Sequence, residues 1–409
     1  MSITSAMETG VSGLLTNSEA ISVIGNNLAN VNTIGFKEGR TLFSDLLSTT
    51  INNGQIGHGS QIQAVQNMFG QGSLENTGNA TDLAIQGDGM FVLQAPNSAE
   101  QFYSRAGAFN FDSNNILTNP DGYKVLGYGM TDMINGVSNG VLGPIDLSKF
   151  SKMPPKATTT VSLTANLDST QTIPTGVWDP TLATFNPVAA SNFSTSATVY
   201  DSLGNAKSLT LYFRNDSTAA SPDTWNMYTY DGTTYTAAGA GTTLAFDPAT
   251  GALTTPSPAT INTNGVTVDL TGSTQFATSS AISSQSQNGY AAGDMAKVSV
   301  DAKGFVNVLY SNSMTQKVAQ VALAKFASPT GLDKAGGSLY SQSTASGTAV
   351  IDPSNLSSNT IASNSLEQSN VDMADQLVQM IMTQRAYTAN SKTITSADQM
   401  MQDTLSIIR

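Results

Sequence analysis

Cysteine is absent from the 409 residues, histidine occurs once, and only 11% of the side chains carry a formal charge. Each scarcity removes a class of chemistry. Without cysteine there is no disulfide framework, no thiolate metal site and no cysteine nucleophile. Ser-His-Asp chemistry would rest on His58 alone, and Ile56-Gly57-His58-Gly59 reads as a flexible loop without metal-ligand neighbours. A surface or interface histidine is the default there. Basic residues are also few: 17 Lys and Arg against 29 Asp and Glu leave a net charge of −12. That argues against the basic stripe by which proteins displace counterions from nucleic acid. No run approaches the roughly 20 apolar residues of a membrane span. The first basic residue is Lys37, so no positively charged n-region announces a secretory leader. The chain is expected to remain cytosolic or to leave by a route that needs no cleaved signal.

What fills the gap is uncharged polarity. Ser, Thr, Asn and Gln abound beside 35 Gly, and an apolar fraction of 39% still supports several modest cores. The length suggests two to three domains. Such polarity suits a self-associating surface better than a catalytic pocket.

Periodicity divides the chain into ends and middle. From Ile3 the steps of four and three run through Met7, Gly10, Leu14, Asn17, Ile21, Ile24, Leu28 and Val31. One seven-residue row, Met7, Leu14, Ile21 and Leu28, is apolar throughout; the other is mixed. At the far end Met373, Met380, Tyr387, Ile394, Met401 and Ile408 form an unbroken row, with Leu377 and Leu405 at the ends of its companion. A sustained 3.5-residue repeat predicts coiled-coil helices. Ser5 with Glu8 has capping-box spacing, and Ser369 with Asp372 reads as the start of the second helix. Polar interruptions at Asn17, Gln384, Ser391 and Asp398 would leave an isolated helix pair marginal until neighbouring copies cover it. The rows are therefore expected to act as an assembly seam.

Between the ends the pattern is hairpin chemistry: short alternating apolar runs with Gly and Asx turns. Turns are expected at Asp112–Asn115, at Asn119–Gly122 and through Ala302-Lys303-Gly304, and three or four strands of one sheet between 197 and 235. The stretch 151–287 is richest in Thr, Ser, Ala and Pro. Disorder is open for 171–192 and 236–265, while Tyr200, Tyr212, Phe213, Trp225, Tyr228 and Tyr230 argue for a core nearby.

Catalytic patterns fail. There is no P-loop, HExxH, EF-hand loop or GxSxG. Gly87-Asp88-Gly89 lacks the third glycine and the helix of a dinucleotide fingerprint and is read as a turn. Asp82, Asp88 and Asp112 lie in turn contexts, where capping outweighs an acid pair. No enzyme activity, cofactor or metal is expected.

The terminal motifs carry a resemblance. Asn26-Asn27-Leu28-Ala29-Asn30-Val31-Asn32-Thr33-Ile34-Gly35-Phe36-Lys37 resembles the N-terminal signature of bacterial flagellar rod and hook proteins. Ser369-Asn370-Val371-Asp372, Leu377-Val378-Gln379-Met380-Ile381 and Gln384-Arg385-Ala386-Tyr387 resemble their C-terminal one. The match continues through Asp82-Leu83-Ala84-Ile85, Gly89-Met90-Phe91, Tyr103-Ser104-Arg105-Ala106-Gly107 and Asn288-Gly289-Tyr290. The insertion opening near Ala197-Thr198-Val199-Tyr200 is similar to that of the hook branch.

The resemblance implies an α+β, mainly β fold with paired terminal helices and nested β domains. The expected boundaries are 1–72 with 363–409 for the helical inner part, 73–150 with 288–362 for a discontinuous β domain, and 151–287 for an inserted outer one. It further implies a subunit of a bendable, torque-transmitting tube. Its partners would be further copies of itself, the distal rod, the hook cap, hook–filament junction proteins, a hook-length ruler and the flagellar type III export apparatus, with neither nucleic acid nor membrane insertion. A Phe-x-x-x-apolar export element matches Phe43 to Leu47. Spirochaete-type members use a cysteine for covalent cross-links, so this chain's tube is expected to be non-covalent. The alternatives are a distal rod subunit, favoured if 151–287 had no fold of its own, and a secreted β-rich adhesin.

Overall fold

The computed structural model describes residues 3–46, 49–51, 54–56, 58–218, 223–237, 239–263, 265–353 and 359–407. Two helices stand at the ends, α1 (Ile3–Ala29) and α2 (Met373–Ile407), and the described residues between them are mainly strand. At 1.5 Å per residue the helices are roughly 40 and 52 Å long. Ser5 lies inside α1 and does not cap it. At α2 the cap is Asp372, whose Oδ1 accepts from the backbone N–H groups of Ala374 and Asp375 at 2.8 and 3.3 Å; Ser369 lies too early. A carboxylate there also meets the positive end of the helix dipole. No helix among the described residues is long and apolar enough to cross a membrane.

The chain divides into two compact units: 1–151 with 296–309 and 315–409, and 152–295 with 310–314. The first contains both helices. Its β part is organised on Thr315–Lys325, which pairs antiparallel with Phe305–Tyr310, Lys124–Asp132, Met90–Gln94 and Val350–Pro353. Val318 to Ala324 are buried without interruption, the mark of a strand covered on both faces. The short hairpins follow their turn chemistry. Asp112 Oδ1 accepts from the N–H groups of Asn114 and Ile116 at 2.9 and 2.8 Å, which brings Asn110–Phe111 against Leu117–Thr118. Gly87-Asp88-Gly89 is a turn between Leu83–Gln86 and Met90–Gln94, with Gly87 at φ +113°.

The second unit has its own fold. A five-stranded antiparallel sheet runs Phe193–Tyr200, Ala206–Asn215, Thr224–Tyr230, Thr242–Phe246 and Leu253–Thr255. It shares a core with a second five-stranded sheet: Leu209, Phe213, Trp225, Leu244 and Phe246 meet Leu163, Leu167, Ile261, Val268 and Leu270. Disorder is therefore not the state of the described part of 236–265, whose strands deliver Leu244, Phe246 and Ile261 to that core. Nor is 171–192 loose. Trp178 stacks on Tyr228 at 4.3 Å, Phe185 meets Trp178 and Tyr235 edge-on at 5.2 Å, and Trp178 Nε1 donates to Thr236 O at 2.9 Å. Arg214 completes the clamp by donating to the carbonyls of Gly176 and Ala190.

Candidate assembly interface: the terminal helices and their collar

α1 and α2 run antiparallel. A Cβ on Gly10 would stand 2.8 Å from Ile394 Cγ1, and one on Gly13 would stand 2.5 Å from Asn390 Nδ2. Further along, Asn27 Nδ2 donates to Gln376 Oε1 at 3.0 Å. The buried face of α1 is a row of mostly small residues at three- and four-residue steps: Gly10, Gly13, Thr16, Ala20, Ile24 and Asn27. Missing side chains at Gly10 and Gly13 let the two backbones approach closely, with Ile394 and Asn390 of α2 filling the space. A ribbon of Gly39–Asp45 and Ser60–Asn67 covers a second side of α1. There Ser60 N–H donates to Ser12 Oγ at 3.3 Å, and the Thr16 and Ser60 hydroxyls lie 3.3 Å apart.

Of the apolar seven-residue rows, Ile394 enters the contact between the helices, against Gly10. Met7, Leu14, Ile21 and Leu28 are half-buried on the flank of α1. On α2, Met380, Ile394 and Met401 are half-buried. Met373, Leu377, Tyr387 and Leu405 remain 49%, 43%, 40% and 62% exposed. Ile408 lies outside the described residues. The structure adds exposed apolar residues that the rows do not contain: Val11, Leu15, Val378, Ile381 and Met382.

Below the helices a polar collar ties the two ends of the chain together. Asn27 exchanges hydrogen bonds with both the N–H and the C=O of Gly39 at 2.9 and 2.8 Å, and Gln376 Nε2 donates to Glu38 Oε1 at 2.9 Å. Asn370 Oδ1 accepts from Glu38 N–H at 2.8 Å, while its Nδ2 donates to Met68 O at 2.8 Å and Gly70 O at 3.2 Å. The centre is ionic. Lys37 Nζ lies 2.5 Å from Glu367 Oε1, Arg105 Nη1 lies 3.3 Å from Glu367 Oε2, and the lysine and glutamate side chains are 0% exposed. Gly70 O, Gly72 N–H and Gly87 O complete the shell. Burial pushes the Lys37 ammonium below the ordinary lysine range, the attraction of Glu367 opposing it. Two cations share one carboxylate, so loss of Glu367 would leave both without a counterion. Gly35 passes beside it at φ +67°, where a Cβ would lie 2.4 Å from Ala106 N; a glycine is required.

Five signature residues converge here: Asn27, Gly35, Lys37, Asn370 and the buried Val371. Asn26 and Asn30 bond each other one turn above, at 3.0 Å. The Phe36 ring carries Lys334 Nζ at 5.3 Å from its centroid. Ala29, Gln384 and Arg385 are exposed. Phe43 is 51% exposed on the ribbon, and Leu47 lies outside the described residues. Glu38, Glu367 and Gln376 escaped the sequence reading. Their only sequence signal is that they are polar residues set close to the signature motifs.

The architecture is that of a flagellar axial protein, with terminal helices flanking nested β units. Four family models match in chain order: flagella basal body rod protein over 7–37, flagellar hook protein FlgE/F/G D1 domain over 84–166, flagellar basal body protein FlaE D2 domain over 166–290, and flagellar basal body rod FlgEFG protein C-terminal over 362–407. The chain is 33% identical to the flagellar hook protein of Escherichia coli K12 over 97% of its own length and 98% of that protein. It is 31% identical to that of Borreliella burgdorferi over 97% and 98%, and 33% to that of Treponema pallidum over 98% of each. The crystal structure of Helicobacter pylori flagellar hook protein FlgE2 superposes with TM-score 0.55 at 17% identity, covering 72% of this chain and all of that one; that likeness speaks for the fold. The chain belongs to the flagellar hook protein family and is a structural subunit of the hook.

Proposed function

We propose that this subunit polymerises through its terminal helices into a bendable tube that transmits torque from motor to filament. The observation that carries the reading is the apolar surface left open on α1 and α2. Val11, Leu15, Leu377, Val378, Ile381, Met382, Met400 and Leu405 are 43% to 66% exposed, and burying one such side chain contributes roughly 1.5–3 kcal/mol. Neighbouring copies supply the cover, with Met7, Leu14, Ile21, Leu28, Met373, Met380, Tyr387, Ile394, Met401 and Ile408 joining the seam.

The unit 152–295 suits looser contact. Its carboxylates are engaged in its own turns: Asp168, Asp179, Asp231 and Asp269 each accept from a threonine hydroxyl two residues on, at 2.6 to 2.7 Å. Only four Lys and Arg lie in 152–295, too few for a dense ion-pair network to lock one copy to the next, so wet, uncharged contacts can slide as the tube turns. The reading is structural, with no reaction assigned. Its further partners would be the distal rod, hook cap, junction proteins, length ruler and type III exporter, with Phe43–Leu47 as a candidate export element. A rod subunit is the weaker reading because 152–295 carries a core of its own.

Leu14→Asp and Leu405→Asp test the seam. Leu405 is open and Leu14 half-buried in the single chain, so the variants should fold yet form no tubes by electron microscopy, since a charge there would be desolvated without a partner. Normal tubes from either variant would count against the reading.

A further inference from the structure

The outer faces of the two helices carry matched stripes. On α1, Glu8, Val11, Leu15 and Glu19 recur at steps of three, four and four, which places them on one face; all four are exposed. On α2, Leu377, Val378, Ile381, Met382 and Arg385 form a second exposed stripe. Neither stripe meets the other within one chain, because Gly10 and Gly13 turn a different face of α1 toward Ile394 and Asn390. The charges are complementary. α1 contains Glu8 and Glu19 but no Lys or Arg, and Arg385 and Lys392 are the cations of α2. None of these four belongs to an ion pair among the described residues.

We propose that the first turns of α2 dock antiparallel on α1 of a second copy of this chain, with Arg385 against Glu8, Met382 and Ile381 against Val11, and Val378 against Leu15. The inference rests on the reading of the chain as a self-assembling subunit and deepens it by naming the contact. Direction follows from the fold. α1 and α2 are antiparallel in one chain, and in a head-to-tail assembly of copies pointing the same way a neighbour's α1 meets α2 in that sense too. Spacing agrees, since Glu8, Val11 and Leu15 step by three and four, as do Arg385, Met382 and Val378 read backwards. The register then differs from the one inside the chain. Gly10 and Gly13 place Val11 level with the stretch between Asn390 and Ile394, whereas the contact between copies places it at Met382. That is a shift of about ten residues, or ~15 Å along the helices at 1.5 Å per residue.

The cysteine-free chain makes the register directly measurable. In the full-length Val11→Cys/Met382→Cys variant the two thiols of one chain lie about ten residues apart along the pair, beyond the ~7 Å Cα separation that a disulfide spans. Oxidising its polymers should give a ladder of covalent multimers on a denaturing gel. Independently, Glu8→Arg and Arg385→Glu should each reduce polymer yield about tenfold, and the double reversal should restore it to within about threefold of the parent, because the pair is complementary in either orientation. Polymers of the cysteine variant that run as monomers after oxidation, or a double reversal no better than the single ones, would overturn the register while leaving the assembly reading standing. An unaltered chain that forms no polymer would overturn the assembly reading itself.

Discussion

Glu367→Gln keeps the size of the side chain and removes one negative charge from a site where Lys37 and Arg105 are enclosed. Two cations are then left facing each other without a counterion, and the carboxylate that Gly72 N–H and Lys37 share at Oε1 becomes a neutral amide. Removing one member of a buried ion pair costs about 3–5 kcal/mol, a large share of the roughly 5–15 kcal/mol that separates a folded unit from its unfolded state. For a unit of this size each kcal/mol moves the melting midpoint by about 2–4 °C, so a fall of about 6–20 °C is expected. Differential scanning calorimetry of the unpolymerised full chain reads it. The transition of the unit 152–295 should not move, because its core is its own. Lys37→Met leaves Glu367 paired with Arg105 and should be milder. A shift under about 2 °C for Glu367→Gln, or greater damage from Lys37→Met, would refute the idea that one carboxylate neutralises both cations.

Other consequences follow from the same geometry. Gly13→Leu drives a side chain into Asn390; overpacking of this kind costs about 1–3 kcal/mol, and the terminal helices should separate, seen as protease sensitivity confined to the two ends. Trp178→Ala removes the stack on Tyr228 and the bond to Thr236 O, a loss of about 3–5 kcal/mol for a buried tryptophan. Limited proteolysis should then cut within 171–192, and an uncut loop would deny the clamp. Hydrogen bonds hold the carboxyls of Asp168, Asp179, Asp201, Asp231, Asp247 and Asp269 below the usual range. Because the folded values lie below the unfolded value of about 3.9, their contribution is intact above it and lost as pH falls through the folded values. The melting midpoint of that unit should stay level down to about pH 4 and drop below it. A fall beginning near pH 6 would contradict the assignment.

Local chemistry proved the most legible part of the sequence. The turn at Asp112–Asn115, the strands on either side of Asp201–Asn205 and both terminal helices lie where residue type and spacing put them. Contacts between distant segments were not legible. Lys37 and Glu367 stand 330 positions apart, and no spacing rule pairs a lone lysine with a lone glutamate. The helix faces are instructive in another way. A seven-residue apolar row identifies an apolar face but not its partner, and the surface joining α1 to α2 is marked by Gly10 and Gly13, with Ile394 of the α2 row against Gly10. The cap of α2 moved from Ser369 to Asp372 because only the latter's carboxylate reaches the free N–H groups of the first turn. In 171–192, scarcity of strand pattern masked Trp178 and Phe185, two rings that order a segment without making it regular.

The most direct test compares the full chain with one lacking residues 1–30 and 370–409, under conditions where the full chain polymerises, by light scattering and electron microscopy. The predicted result is tubes from the full chain and a folded, β-rich monomer from the truncated one. Tubes from the truncated chain would contradict the claim that the terminal helices carry assembly.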